Sequence, residues 1–270
     1  MSDSIGHKEQ PPKAVKEVLD ELLMKGTVAF SMAHLLEETQ LKPDAARKQL
    51  SRLGPRVARV TKSFYLIVTP EHLPRGGPPP DWWLDDYFAW LKRPYYLALQ
   101  SAASAHGSSP QSIQVTQVMT DKARPPIELG RIRITFFVKR RIEQTPTQQM
   151  TNAFAPTRVS TPAATIFDLV RYAPRIGGVG RALETFRSLL PKIEGPELQN
   201  VLETEHETTT SQRLGYLLEK AGATKLANVV EKWLPRKRPL TALESAPEIR
   251  PDALLVPRWQ ILDNSREFIP

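Results

Sequence analysis

Cysteine is absent from the 270 residues. Disulfides and thiolate metal sites are therefore excluded, which fits a reducing compartment. No apolar run approaches the roughly 20 residues that cross a bilayer. The opening "MSDSIGHKEQPP" has no apolar core of a secretory signal. A cytoplasmic protein with no membrane partner is expected. The histidines, His7, His34, His72, His106 and His206, never fall at the H-E-x-x-H spacing of a zinc helix. No G-x-S-x-G is present. Asp85 and Asp86 are adjacent, so on a helix they diverge and cannot act as a carboxylate pair. Gly177, Gly178 and Gly180 in "IGGVGR" match neither the dinucleotide fingerprint nor a phosphate loop and read as a turn. "HGSSP" is followed by a stretch offering only Asp121, too few aspartates for two-metal phosphoryl chemistry. These absences predict no catalytic residue, no metal and no cofactor.

What is present is a globular composition, 40% hydrophobic and 24% charged, long enough for about two domains at roughly 150 residues each. The net charge is +8 with a pI near 9.7, a balance that favours polyanionic partners or simply solubility. Its distribution is the stronger signal. Lys42, Arg47, Lys48, Arg52, Arg56, Arg59 and Lys62 are opposed only by Asp44 between positions 42 and 62.

The first seventy residues carry a legible order of elements. Val15, Val18, Leu19, Leu22 and Leu23 recur at helical spacing before Gly26. "TVAF" is β-prone, and Ser31 suits the N-cap of a helix with Met32, Leu35 and Leu36 on one face. Pro43 starts the next helix, which runs to about Leu53 and stops at Gly54-Pro55. Val57–Val60 and Phe64–Val68 read as two strands with Thr61, Lys62 and Ser63 at the tip. Helix, short strand, helix, turn, helix and hairpin predict a winged helix-turn-helix over residues 1–72.

In the third helix of this unit Ala46, Leu50 and Leu53 point inward, while Asp44, Arg47, Lys48, Ser51 and Arg52 point outward. The outward face of the second helix of a helix-turn-helix enters the major groove. Arginine suits bidentate contact with guanine, and lysine or serine suits guanine edges or phosphate. The expected DNA-binding residues are Lys42, Arg47, Lys48, Ser51 and Arg52, with Lys62 reaching a flanking phosphate or the minor groove. A solvated helix face with scattered charges is the alternative, as is a winged helix that docks protein.

Residues 73–80 hold Gly76 to Pro80 in an unbroken glycine and proline run and are expected to link two domains. Residues 81–270 then read as a larger mixed α/β domain with a small antiparallel sheet and C-terminal helices, an α+β chain overall. "DWWLDDYFAWL" and "YYLALQSAASAHG" read as helices, and "SIQVTQVMT" and "GRIRITFFVKRRI" as strands. In the latter Ile132, Ile134 and Phe136 share one face, and Arg131, Arg133 and Thr135 the other. Ser160 or Thr161 caps the helix begun by Pro162. Further helices are expected near 181–190, 196–204, 211–221 and 225–234, followed by a proline-rich, irregular tail. Arg131, Arg133, Lys139 and Arg140 form a second basic cluster that either meets an anionic partner or is the wet face of a half-buried sheet.

The stretches "DAARKQLSRLG", "RPYYLALQSAASAHG", "IQVTQVMTDKAR", "GRIRITFFVKRR", "VSTPAATIFDLVRYAPRIGGVGRAL" and "RLGYLLEKAG", in this order and spacing, resemble the AbiEi family of type IV toxin–antitoxin antitoxins. The resemblance implies an antitoxin and autorepressor that binds double-stranded DNA at its own promoter. The implied second partner is a cognate nucleotidyltransferase toxin, neutralised by direct contact or through its target. A single winged helix covers a short half-site, so the promoter is expected to hold a repeated or inverted motif, with room for a dimer that forms only on DNA. A winged-helix regulator or docking scaffold without an antitoxin role is the runner-up, and a nucleic-acid-modifying enzyme a weaker third.

Overall fold

The computed structural model describes residues 12–108, 114–151, 155–244 and 253–265. The expected strand start at Ser112 and residues 245–252 and 266–270 of the tail lie outside them. The chain divides into two compact units. The first comprises Met1–Lys92, Ile127–Ile132 and Thr151–Pro156; the second comprises the rest.

The first unit opens with α1 (Val15–Met24), where the Glu17 carboxylate accepts a bond from the Ala14 N–H and so satisfies a donor the helix leaves unpaired. β1 (Ala29–Ser31) leads into α2 (Met32–Thr39), whose first turn is closed by Ser31 Oγ accepting from His34 N at 3.1 Å. Gln40, in the left-handed region at φ 53°, ends α2. Pro43 begins α3 (Pro43–Arg52), and β2 (Val57–Arg59) and β3 (Phe64–Ile67) form the hairpin. The three strands make an antiparallel sheet ordered β1-β3-β2, with Ala29 opposite Leu66 and Val57 opposite Ile67. The apolar positions picked out by helical spacing meet in one core: Val15, Val18, Leu19, Leu35, Ala46 and Leu50 pack with Phe30, Tyr65 and Ile67. Phe30 and Tyr65 stack at 5.5 Å between ring centroids.

Residues 73–80, expected as a linker, fall within this unit. Pro70–Arg75 makes 3-10 turns, and Gly76 at φ 92° lies so close to Gly130 that a Cβ there would sit 2.8 Å from the Gly130 Cα. The Arg131 N–H bonds to the Arg75 carbonyl at 2.9 Å. α4 (Leu84–Leu91) follows; Trp83 is fully buried with its indole N–H on the Pro78 carbonyl, and Tyr87 meets Phe64 edge-on at 5.1 Å.

The second unit departs further from expectation. Tyr95–Leu97 is a strand, β4, not the start of a helix, and the helix α5 (Leu99–Ala105) begins at the corner the chain makes at Leu99, φ 55°. β5 (Thr116–Thr120), β6 (Ile127–Leu129, counted with the first unit), β7 (Ile132–Val138), β8 (Thr147–Thr151) and β9 (Pro156–Ser160) complete a six-stranded sheet ordered β6-β7-β5-β4-β9-β8. This sheet is mixed, correcting the small antiparallel one expected: β5 runs parallel to β7 and β4 parallel to β9, while β4 and β5 are antiparallel. In β7, Ile132, Ile134 and Phe136 are buried and Arg133 is exposed, as the alternation predicts.

α6 (Pro162–Arg171) is capped by Thr161, whose Oγ1 accepts from Ala164 N. Every residue from Ala163 to Val170 is buried, so α6 is the central helix of the unit. α7 (Gly178–Arg187), α8 (Gly195–Glu205) and α9 (Thr208–Lys220) pack against it, and α10 (Thr224–Trp233) packs on α8 and α9. The tail is not irregular throughout. β10 (Thr241–Ala242), β11 (Leu254–Val256) and β12 (Ile261–Asp263) form a sheet ordered β10-β12-β11. Trp259 anchors it: the ring is fully buried against Gly215 of α9, and its N–H donates to Glu219 at 2.6 Å.

Candidate functional site

Burial of Ala46 and Leu50 fixes the rotation of α3, because residues four apart share one helix face. The opposite face follows by geometry: Lys42, Arg47, Lys48, Ser51 and Arg52 are all exposed, and so is Lys62 at the hairpin tip. Between α3 and the hairpin lies an open cleft of about 650 Å³. Arg47 and Ser51 line it from the helix, Arg59, Lys62 and Ser63 from the hairpin, and Tyr65 from its floor. Among the described residues no acid lines it. Three of the expected DNA-binding residues, Arg47, Ser51 and Lys62, therefore converge on one concavity, while Lys42, Lys48 and Arg52 stand exposed outside its lining.

The tip is held by its own side chains. Arg59 Nε donates to the Thr61 carbonyl at 3.1 Å, Tyr65 OH donates to the Lys62 carbonyl at 3.2 Å, and Ser63 N donates to Thr61 Oγ1 at 3.3 Å. Arg59 belongs to this cleft although the sequence singled it out only as one of seven cations. The signal was the period of two in a strand, which puts position 59 on the same side as Val57, and both line the cleft. Arg47 is engaged by a neighbour one turn back: its Nη1 lies 2.6 Å from Asp44 Oδ1.

The second unit arranges charge in the opposite way. Lys139, expected beside Arg131 and Arg133 as a contact for an anionic partner, is 2% exposed. Its ammonium reaches Asp168 Oδ1 of α6 at 2.9 Å and Glu205 Oε1 of α8 at 2.5 Å. Tyr96 OH of β4 donates to Asp168 Oδ2 at 2.7 Å, and Thr145 Oγ1 donates to Glu205 Oε1 at 2.9 Å. Arg171 bridges Glu205 and Glu207. The physical reason for the correction is alternation past the end of β7: position 139 turns inward where exposed Val138 and Arg140 do not. Burial, with the Asp168 charge beside it, pushes the Tyr96 hydroxyl well above its ordinary range, so it remains a donor. Burial likewise raises Glu205 against the opposing pull of Lys139. Arg131, Arg133 and Arg140 are exposed.

Sequence reasoning missed Asp168 and Glu205. The available hint was a single acid inside the apolar run "ATIFDLV", which a buried helix tolerates only with a partner. A smaller cleft in this unit, about 240 Å³, is lined by Arg171 and Arg213 but also by Glu244, so its charge is mixed. Burial lowers the pKa of Arg213. Among the described residues no group of three or more His, Cys, Asp or Glu side chains has the arrangement to hold a metal ion. Among them also, no helix is long and apolar enough to cross a membrane.

Residues 96–220 match the family model described as AbiEi antitoxin C-terminal domain. No curated protein matches the chain in sequence. In fold it is similar to the crystal structure of the RV2827C protein from Mycobacterium tuberculosis, with 16% identity and a TM-score of 0.64 over 96% of this chain and 94% of that one. An antigenic nucleotidyltransferase-like protein from Paracoccidioides brasiliensis shares 10% identity over 61% of this chain and 94% of its own, at a TM-score of 0.39, a likeness too slight to carry an argument.

Proposed function

We propose that this chain, which belongs through residues 96–220 to the AbiEi antitoxin family, is an antitoxin that also represses its own operon and performs no catalysis. Its first unit then acts as a winged helix-turn-helix in the cytoplasm, with α3 in the major groove and the β2–β3 hairpin as the wing. The second unit acts as the antitoxin domain, against a nucleotidyltransferase toxin encoded beside it. The observation that supports the DNA half is the cleft between α3 and the hairpin, where Arg47, Arg59 and Lys62 converge with no acid in the lining. Such a surface meets a phosphate backbone with counterion release and leaves the helix face for base edges. One copy covers a short half-site, so the promoter is proposed to carry a repeated or inverted motif occupied by two copies.

The test of the DNA half is a gel-shift titration on the protein's own promoter. Arg47→Ala and Arg52→Ala are each expected to cost about 1–3 kcal/mol on the operator and less on random duplex. Unchanged operator affinity in the double variant would remove α3 as the reading element. For the antitoxin half the measurement is growth rescue with the neighbouring toxin induced. Arg133→Glu with Arg140→Glu is expected to abolish rescue while circular dichroism stays that of wild type, since exposed substitutions seldom unfold a domain. Full rescue by that variant would reduce these arginines to a solvated face.

A further inference from the structure

The three carbonyls at the tip of the β2–β3 hairpin each meet a donor of the chain itself. Thr61 accepts from Arg59 Nε at 3.1 Å, Lys62 from the Tyr65 hydroxyl at 3.2 Å, and Ser63 from the Met32 N–H at 2.9 Å. Tyr65 is buried and stacked on Phe30, so the tip is tied to the core of the first unit. The Arg59 bond has a consequence for charge. A guanidinium carries five N–H donors in a fixed plane, and holding its Nε edge on a carbonyl orients the fork that carries the other four. The carbonyl is neutral, so it does not offset the Arg59 charge, whereas Arg47 gives one Nη to the Asp44 carboxylate. Lys62, exposed at the tip, is a point charge on a flexible stem.

We infer that Arg59 fixes the duplex in the cleft: its two terminal nitrogens together grip one backbone phosphate, whatever the base sequence. The inference rests on the reading of the first unit as the DNA-binding unit. A phosphate presents two oxygens that match the guanidinium fork, and charged pairs of this bidentate kind are the strong ones. The fork is already oriented in the free protein, so less rotamer freedom is lost when the phosphate arrives. Ser51 and Ser63 line the same cleft and supply hydroxyl donors beside it. Arg59 thereby sets position and leaves the bases to α3. An arginine that merely rests on its own hairpin makes the same bond to Thr61, and that role predicts no loss tied to one phosphate.

The experiment measures the affinity of the full chain for its promoter and for a random duplex of equal length, in wild type, Arg59→Ala, Arg59→Lys and Lys62→Ala. A second set of promoter duplexes each carries one phosphate replaced by an uncharged methylphosphonate. Arg59→Ala is expected to weaken promoter and random duplex by the same factor, about tenfold, the scale of a hydrogen-bonded charge. Arg59→Lys keeps the charge without the fork and is expected to fall between wild type and Arg59→Ala. One methylphosphonate position is expected to cost wild type about tenfold and to cost Arg59→Ala nothing, because the two changes remove the same contact. Lys62→Ala is expected to keep the full cost at that position. The inference is overturned if no position has a cost that depends on Arg59, if Arg59→Lys binds as wild type does, or if the loss in Arg59→Ala is confined to the promoter, which would make Arg59 a reader of bases. If wild type binds neither duplex, the DNA-binding reading fails and the inference falls with it. If wild type binds and Arg59→Ala binds as tightly, the reading stands and the inference alone is lost.

Discussion

Arg47 and Lys139 carry the same charge in equally basic stretches, yet the molecule treats them oppositely. Arg47 is wet, held by one exposed carboxylate and facing an open cleft. Lys139 is dry, held by two buried carboxylates on two helices. A wet cation loses little when its partner is exchanged, so it is available to a ligand. A dry one cannot leave without stranding its counter-ions in a medium where each isolated charge is costly. Formal charge in a sequence therefore does not say whether a residue serves a partner or the fold; solvation does. Among the described residues, the core of the first unit holds no buried charge and is built from apolar side chains. The second unit joins β4, α6 and α8 through one charged cluster.

The sharpest way to break this contrast is Lys139→Met. It leaves Asp168 and Glu205 side by side with no ammonium between them, and the expected loss is about 3–5 kcal/mol of unfolding free energy, read by urea denaturation. A loss below about 1 kcal/mol, the range of an exposed pair, would place Lys139 with the wet cations. Next in size is Gly215→Ala. A Cβ at this position would lie 2.1 Å from Cζ3 of the buried Trp259 ring, so the ring must shift, at a cost of about 1–3 kcal/mol for an overpacked core. Near-ultraviolet circular dichroism is expected to lose the Trp259 signal, and an unchanged spectrum would show that the tail sheet is not anchored there. The smallest effect is a slope. Glu205 has its pKa raised in the fold above the ordinary 4.5. The folded state then binds its proton more tightly than the unfolded state, so this group contributes stability at low pH that is lost as pH rises from 4.5 through the raised value. Glu205→Gln is expected to flatten that fall in a pH series of melting temperatures. A fall of equal steepness in the variant would assign the dependence to other carboxylates.

Much of the first unit was legible because its signals are local. Ala46 and Leu50 at helical spacing, Ser31 as a cap, Pro43 as a start and the Thr61–Ser63 tip each act within a few residues. The basic face of α3 was legible for the same reason, while Arg59 required knowing which side of β2 turns toward the helix. In the second unit local signals again placed α6, through Thr161 and Pro162. They misread Tyr95–Leu97, where apolar residues run on into "ALQSAASA" without a break; the aromatic pair favours a strand, and the corner at Leu99 is invisible to periodicity. They also missed β8, "TQQMT", which has little apolar character and is a strand by virtue of its place in the sheet.

By itself, then, the sequence determined the order of helix and hairpin in the first unit, the outward set on α3, the inward set on β7 and most of the later helices. These depend on backbone propensity and on period, which act over one or two turns of chain. The tertiary structure alone decided that β5 and β7 run parallel, that Trp259 closes on Gly215, and that Lys139 turns in to Asp168 and Glu205 while Arg140 stays out. The two carboxylates of Lys139 lie 29 and 66 residues away along the chain, and no local rule reaches that far. A charge is buried only when the fold brings its counter-charges to it, and that condition is met in space, not along the chain.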